Sequence, residues 1–225
     1  MAYKVVITDA DFPSIEPEVA VLSKVPAEVV LAQRREPDEV LEAARDADGL
    51  LVQYARITGD VIRGLSRCKV IARYGVGVDS IDVAAATAAG IPVCNVRDYC
   101  LDEVAEHTLA MVLACGRHLF QLDASVRAGV WSVASVAPRM ARLSGQRLGL
   151  VGFGGIGRRV AANARAVGFV VSAYSRHLTD EDTAAVGVER SPDLRSLLQN
   201  CDFVSLHLPL TPEARHIIGA SEIAA

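Results

Sequence analysis

The sequence has no excess of basic residues and few aromatic ones. It contains 23 Lys and Arg residues and 27 Asp and Glu residues, which gives a formal net charge of −4, and aromatic residues make up 5% of its 225 positions. Proteins that bind nucleic acids combine a basic face with aromatic side chains that stack on bases. Because the sequence offers neither, we expect no nucleic-acid partner and no general attraction to anionic membranes, and small molecules are the favoured ligands.

Paired cysteines and long apolar runs are also missing. The five cysteines are scattered, with no Cys-x-x-Cys pair: Cys68, Cys94, Cys100, Cys115 and Cys201. An odd, unpaired set indicates reduced thiols, which favours the cytoplasm, and we expect no metal site. The start MAYKVVITDA is unlike a signal peptide, and no apolar run approaches the roughly 20 residues that a membrane span needs. We therefore predict a cytoplasmic protein with no membrane anchor.

What the sequence does contain is an alternation of short apolar runs with amphipathic or alanine-rich segments. The alternation runs through KVVITD, GLLVQY, KVIARYG and IPVCNV, and it resumes with QRLGLVG, FVVSAYS and DFVSLHLP. It is typical of parallel sheets built from strand–helix–strand units. We predict an α/β fold with two flavodoxin- or Rossmann-like parallel-sheet domains, residues 1–100 and residues 101–225, the second of which is incomplete.

Three local features complete the predicted organisation. Apolar residues keep helical spacing over residues 101–129, which predicts a long helix joining the two domains. Thr58 and Ser80 are predicted to cap helix starts, and Gly90 to end a helix. The charged stretch RHLTDEDTAAVGVERSP is predicted to be a surface loop.

The stretch LGLVGFGGIGRRVA carries the clearest chemical signal. Gly152, Gly154 and Gly157 form the pattern G-x-G-x-x-G between an apolar strand and a helix. In a dinucleotide-binding turn the first glycine makes the tight turn, the second lets the pyrophosphate approach, and the third lets the helix pack closely on the strand. The helix N-terminus, beginning around Gly155 and Ile156, offers free N–H groups to the phosphates. The alternative is a tight strand-to-helix turn without a ligand.

The end of the next strand bears on the choice of cofactor. An acidic residue there would bind the ribose hydroxyls of NAD, but the sequence has Ser175, Arg176 and His177, and its next carboxylate is Asp180. Without a carboxylate a 2′-phosphate is not repelled, and Arg176 can form charge-assisted hydrogen bonds with it. We therefore predict NADP as the cofactor, with NAD as the alternative if Asp180 or a backbone group serves its ribose.

Several motifs in order give the chain a resemblance to a known family. The motifs are LVQYARIT, IARYGVGVDSIDVAAATAAGIPVCNV, VAEHTLAMVLA, LSGQRLGLVGFGGIGRRVA and CDFVSLHLPLTPEARHII. Together they resemble the D-isomer-specific 2-hydroxyacid dehydrogenases over essentially the whole chain. The segment NVRDYCLDEVAEHTLA is similar to the branch related to the C-terminal-binding-protein corepressors. The resemblance implies a substrate domain followed by an NAD(P)-binding domain, hydride transfer between the cofactor and a 2-hydroxy or 2-oxo acid, and a homodimer.

The resemblance also implies roles for single residues. The loop from Tyr74 to Val78 is expected to hold the substrate carboxylate through backbone N–H groups. The expected substrate-binding residues are Tyr54, Gly75, Val76 and Gly77. The expected cofactor-binding residues beyond those already named are Thr108, His207, Leu208, Pro209 and Thr211. Packing or capping is the alternative for each of them.

The catalytic segments of the family do not occur in these 225 residues. In the family an arginine in an NTxRG segment, a glutamate and a histidine act on the substrate, and the sequence reaches IGASEIAA without them. We therefore assign no catalytic residue, and we expect His107 and His207 to be packing or hydrogen-bonding residues. A truncated chain is the favoured explanation, and it would leave the strand RLGLVG as an open edge. The alternative function is a cofactor-binding regulatory or corepressor-like module without turnover.

Overall fold

The computed structural model describes residues 2–224, which divide into two compact units, one up to Tyr99 and one from Cys100. Each unit contains one β-sheet, of five strands in the first unit and four in the second, and the strands of both sheets run parallel. The predicted α/β fold with two parallel sheets is therefore confirmed. Among the described residues, no helix has the length and apolar character needed to cross a membrane.

The sheet of the first unit has the strand order β2-β1-β3-β4-β5, which is the flavodoxin order. Its strands are β1 (Tyr3–Ile7), β2 (Ala27–Leu31), β3 (Gly49–Val52), β4 (Val70–Arg73) and β5 (Val93–Asn95). Its helices are α1 (Glu16–Leu22), α2 (Pro37–Ala44), α3 (Gly59–Gly64) and α4 (Val83–Ala88). Strand residues such as Leu50 and Ile71 are completely or almost completely buried and pack with Val61 and Ile62 of α3.

Two of the three predicted helix ends in this unit are confirmed. The Thr58 hydroxyl accepts a hydrogen bond from the Val61 N–H at the start of α3, at 3.3 Å. Gly90 follows α4 in a left-handed conformation with φ of +71°. The prediction for Ser80 is wrong, because Asp82 caps α4 and accepts from the Ala85 N–H at 2.9 Å. The Ser80 carbonyl instead accepts from the Ile57 N–H, in an extended segment that precedes the helix.

The sheet of the second unit has the order β8-β7-β6-β9. Its strands are β6 (Arg147–Val151), β7 (Val170–Tyr174), β8 (Glu189–Arg190) and β9 (Phe203–Leu206). Its helices are α5 (Leu101–Gly116), α6 (Leu119–Arg127), α7 (Val133–Val136), α8 (Gly155–Ala166), α9 (Asp180–Ala184), α10 (Leu194–Gln199) and α11 (Ala220–Ile223). This is the Rossmann order, in which the chain crosses from one side of β6 to the other. Ligands of such sheets bind at that point, beyond the carboxyl ends of the strands.

The stretch predicted to be a surface loop contains regular structure instead. Residues 180–184 form α9, which starts with a capping box between Thr179 and Asp182, and residues 189–190 form β8 beside β7. Because β8 takes the place next to β7, β9 pairs with the other side of β6. The prediction that RLGLVG forms an open edge is therefore wrong: β6 lies inside the sheet, and β9 forms its edge.

The long helix predicted over residues 101–129 is broken. Helix α5 ends at Gly116 and α6 begins at Leu119, with His118 between them in a left-handed conformation at φ of +52°. A left-handed residue interrupts the helical hydrogen-bond ladder. Gly116 also allows a close approach, since a Cβ there would lie 2.5 Å from the Leu143 Cδ2. Helical periodicity extends across the break and therefore did not reveal it.

Candidate cofactor and substrate sites

The glycine-rich turn joins the carboxyl end of β6 to the N-terminus of α8. Gly152 has φ of +98°, and a Cβ there would collide with the backbone carbonyl of His207. At Gly157, a Cβ would lie 2.5 Å from the Gly152 carbonyl oxygen. Glycine at these two positions therefore permits the tight turn and the close packing of α8 on it.

Gly154 lies in a different environment. A Cβ added there would meet no atom within 4 Å, and its φ of −80° suits any residue. The N–H groups of Gly155, Ile156 and Gly157 have no acceptor among residues 2–224, and the Arg158 N–H makes the first helical bond, to the Gly154 carbonyl at 3.0 Å. An open approach to a helix N-terminus with free N–H groups fits the pyrophosphate of a dinucleotide.

The segment after β7 forms a tight turn beside the glycine-rich turn. The Gly152 N–H donates to the Tyr174 carbonyl at 2.8 Å, which fixes the end of β7 there. The Leu178 N–H donates to the Ser175 carbonyl at 3.2 Å, and the Leu178 side chain is buried in the core. Arg176 and His177 lie exposed at the tip between these two anchors.

Two carboxylates bear on the charge around that tip. Asp180, in the first turn of α9, pairs with Arg190 at 3.2 Å. Hydrogen bonds from the Thr211 hydroxyl and from its own backbone N–H lower the pKa of Glu213, and the positive charge of Arg176 lowers it further. Glu213 is therefore a carboxylate on which the charge of Arg176 acts, although no ion pair joins the two side chains in the described part of the chain. Sequence reasoning missed it because the two residues are distant in the chain.

The segment HLPLT begins at the carboxyl end of β9. The His207 N–H donates to the Val151 carbonyl at 2.8 Å, which places His207 and Leu208 against Gly152. Pro209 is exposed and lies further along the segment. The Thr211 hydroxyl accepts from the Ala214 N–H at 3.3 Å, so it acts as a cap within the segment.

Thr108 lies on α5, which packs against α8. Its hydroxyl donates to the Val104 carbonyl at 2.7 Å, and its side chain lines a cavity of about 340 Å³ together with Ser205 of β9. The start of the same helix reaches the glycine-rich turn, where a Cβ at Gly155 would lie 3.2 Å from Leu101. Thr108 is thus placed beside the edge strand.

Histidine and carboxylate groups are not paired for proton transfer in the described part of the chain. His207 Nε2 lies 3.1 Å from the Ser205 hydroxyl, and burial lowers the pKa of His207, which favours the neutral imidazole. Within residues 2–224, no histidine forms an ion pair with a carboxylate, and no group of three His, Cys, Asp or Glu side chains is arranged to hold a metal ion.

In the first unit, Tyr54 follows β3 and is held by a buried carboxylate. Asp9 lies after β1, and its carboxylate accepts hydrogen bonds from the N–H groups of Gln53, Tyr54 and Ala55 at 2.9–3.2 Å. The guanidinium of Arg35 donates to Asp9 at 3.0 Å and lies 5.1 Å from the centroid of the Tyr54 ring. The Tyr54 side chain remains half exposed.

The loop after β4 lies at the same edge of the sheet, because β3 and β4 are parallel neighbours. The carbonyls of Gly75 and Val76 are bonded to Val96 and Asn95, at 3.0 and 2.6 Å. The N–H groups of Val76 and Gly77 find no acceptor within residues 2–224. They are therefore available to an anion such as a carboxylate.

Sequence reasoning also missed Arg73, the last residue of β4. Its guanidinium lies against Gly75, where a Cβ would collide with it, and its Nε is buried without a hydrogen-bond partner in the described residues. Gly75 has φ of +147°. An arginine at the carboxyl end of a parallel strand, directly before a glycine-rich loop, is the signal that points to this position.

The sequence of this chain is similar to those of known proteins. A sequence profile for the NAD binding domain of D-isomer specific 2-hydroxyacid dehydrogenases matches residues 109–225. The D-3-phosphoglycerate dehydrogenase of Methanocaldococcus jannaschii is 40% identical over 222 residues, which cover 98% of this chain and 41% of that protein. The hydroxypyruvate reductase of Thermotoga maritima is 37% identical over 196 residues, covering 87% of this chain and 62% of that protein.

The fold of this chain is also similar to that of a solved structure. The crystal structure of D-lactate dehydrogenase from Aquifex aeolicus, complexed with NAD and lactic acid, superposes with a TM-score of 0.87 at 27% identity. The match covers 98% of this chain and 65% of that one. The chain thus spans less than two thirds of the length of each of these proteins.

Proposed function

Because this chain belongs to the D-isomer-specific 2-hydroxyacid dehydrogenase family, we propose that the protein is an oxidoreductase that uses a nicotinamide cofactor and a 2-hydroxy or 2-oxo acid. The glycine-rich turn carries the proposal, since Gly154 leaves open space in front of three free N–H groups of α8. When bound, the cofactor supplies or accepts the hydride. Residues from 101 onward would form the cofactor domain, and residues 1–100 the substrate domain.

Two sets of residues would divide the binding work. In the substrate domain, the N–H groups of Val76 and Gly77 and the guanidinium of Arg73 would hold the carboxylate of the acid, with Tyr54 beside it. In the cofactor domain, the first-turn N–H groups of α8 would hold the pyrophosphate. His207 and Leu208 adjoin the turn and would contact the cofactor there.

The test of this proposal is a calorimetric titration of the wild-type protein and of the variant Gly154→Ala with NADPH and NADH. We expect the wild type to bind a cofactor. The added methyl group should lower the affinity for both cofactors about tenfold, because it fills the space that the pyrophosphate needs. The thermal midpoint should stay unchanged, because a Cβ at position 154 meets no protein atom within 4 Å. Equal affinities in the two proteins, or no binding by the wild type, would contradict the proposal.

We further propose NADP as the preferred cofactor, on the strength of the exposed Arg176 at the tip after β7. Arg176→Ala is expected to weaken NADPH binding about ten- to hundredfold, because a charge-assisted hydrogen bond contributes roughly 1.5–3 kcal/mol, and to change NADH binding less than about twofold. The same titrations measure both values, with Arg139→Ala as a control for the loss of an exposed positive charge.

The result of that substitution also decides between NADP and the NAD alternative. Glu213 interacts with Arg176 and is a carboxylate that could serve the ribose hydroxyls of NAD. If Arg176→Ala weakens NADPH and NADH equally, the assignment of NADP is wrong, and Glu213 becomes the first residue to test for NAD binding.

A regulatory module that binds the cofactor without turnover is the second candidate function. It is favoured by the segment NVRDYCLDEVAEHTLA, which is similar to the branch related to the C-terminal-binding-protein corepressors. Oxidation of NADPH or NADH in the presence of hydroxypyruvate or pyruvate would exclude it. Cofactor binding without oxidation, across a panel of 2-oxo acids, would support it.

A further inference from the structure

The tip that carries Arg176 is anchored to the glycine-rich turn at its first end. The Tyr174 carbonyl, at the end of β7, accepts from the Gly152 N–H at 2.8 Å. After the tip, Leu178 is buried in the core of the second unit. The exposed residues Arg176 and His177 therefore lie between two held residues, Tyr174 and Leu178, which limit their movement.

The second end is anchored by an ion pair. The Asp182 carboxylate accepts from the Thr179 N–H and hydroxyl, at 3.2 and 2.8 Å, which holds the start of α9. Its other oxygen accepts from Arg158 Nη2 at 2.8 Å. Arg158 directly follows Gly157, and its guanidinium lies 4.9 Å from the ring centroid of Phe153, a buried residue within the turn.

We propose that Arg158 and Asp182 are positioning residues that fix the orientation of Arg176 relative to the glycine-rich turn, and so strengthen discrimination between NADP and NAD. The inference rests on the proposed function. The 2′-phosphate and the pyrophosphate of one molecule are joined through a single ribose, so their separation varies only within a narrow range. An arginine therefore recognises the 2′-phosphate best when it is held in register with the N–H groups that bind the pyrophosphate.

The chemistry of the pair suits such a role. Hydrogen bonds from Thr179 and Arg158 lower the pKa of Asp182 to about 2, so the carboxylate stays ionised at any pH used for a binding assay. The neighbouring pair of Arg159 with Asp102 also links α8 to another helix, α5, but it does not touch the segment after β7. Its arginine is as exposed as Arg158, and its carboxylate is more exposed than that of Asp182. It provides a control for the loss of a surface ion pair on α8.

The experiment compares affinities for NADPH and NADH in variants of the whole chain. Asp182→Asn keeps an oxygen for Thr179 but removes the charge that faces Arg158, and Arg158→Met keeps a flexible apolar stem over Phe153. Each variant is expected to lower the preference for NADPH over NADH about threefold. The change should come from weaker binding of NADPH and not from stronger binding of NADH. Arg158→Lys should keep most of the preference that Arg158→Met loses. The double variant Asp182→Asn with Arg158→Met should lose no more of the preference than either single variant, and Asp102→Asn should leave the preference unchanged.

Other outcomes separate the possible failures. If Asp182→Asn changes the preference no more than Asp102→Asn, or weakens both cofactors equally, the positioning role is overturned while the proposed function stands. If Arg158→Lys behaves like Arg158→Met although both keep the wild-type thermal midpoint, the ion pair is not the cause, and the inference also fails. If the wild type binds neither cofactor, the proposed function is wrong and the inference falls with it.

Discussion

Replacing Asp9 with alanine is expected to lower the free energy of unfolding of the first unit by about 3–5 kcal/mol. The Asp9 side chain is 1% exposed and accepts hydrogen bonds from three consecutive backbone N–H groups and from Arg35. Alanine leaves the buried N–H groups of Gln53 and Ala55 without an acceptor, and each such loss costs about 1–3 kcal/mol. Hydrogen exchange of residues 49–55 at increasing urea concentration measures the change.

Asp11→Ala is the control for this prediction. Asp11 also bonds Arg35, at 2.6 Å, but its side chain is exposed, so its loss should cost less than about 1 kcal/mol. A loss below that value for Asp9→Ala would show that water or a shifted side chain replaces the carboxylate. Because the same bonds hold the backbone at Tyr54, Asp9→Ala should also disorder the predicted substrate edge.

Gly152→Ala is expected to destabilise the second unit by about 2–5 kcal/mol and to abolish cofactor binding. The cost has two parts: a φ of +98° is unfavourable for alanine, and the Cβ collides with the rigid backbone carbonyl of His207. That carbonyl cannot move away easily, because the His207 N–H is bonded to Val151 of β6. Urea unfolding followed by circular dichroism measures the loss.

The same substitution two residues later provides the comparison. Gly154→Ala should change the free energy of unfolding by less than about 0.5 kcal/mol, since its Cβ meets no atom within 4 Å, while still weakening the cofactor. If the two variants unfold at the same urea concentration, the glycines do not have the separate roles that the geometry assigns to them.

The parts of the fold that were predicted correctly depend on short-range patterns. Strand β6, the glycine-rich turn and α8 follow one another directly, so each supports the identification of the next. Strand β8 has only two residues, too few for an alternating pattern, and the capping box of Thr179 and Asp182 lies within a run of acidic residues. Missing these two elements led to the wrong prediction that β6 forms an open edge, because sheet order depends on every strand.

At the candidate sites, too, short-range features could be predicted from the sequence and long-range contacts could not. The sequence indicates that Tyr54 and the loop around Gly75 follow neighbouring parallel strands, which places both at one edge. It does not indicate that Asp9 bonds residues more than 40 positions away, or that the charge of Arg176 acts on Glu213, because both depend on distant strands and loops being brought together. The orientation of Arg73 over Gly75 likewise depends on the left-handed backbone of one residue.

The Asp9 carboxylate fills a nest of backbone N–H groups that would otherwise attract an external anion. This nest of the first unit thus carries its own permanent ligand, whereas the N–H groups of Val76 and Gly77 in the same unit find no acceptor in the described part of the chain. The N–H groups at the start of α8 have no such internal anion among residues 2–224. Mass action then ties the second unit to the supply of its cofactor: at a hundred times the dissociation constant, binding adds about 2.7 kcal/mol to its stability. Depletion of the nicotinamide pool would remove that stabilisation and favour unfolding and proteolysis of the second unit.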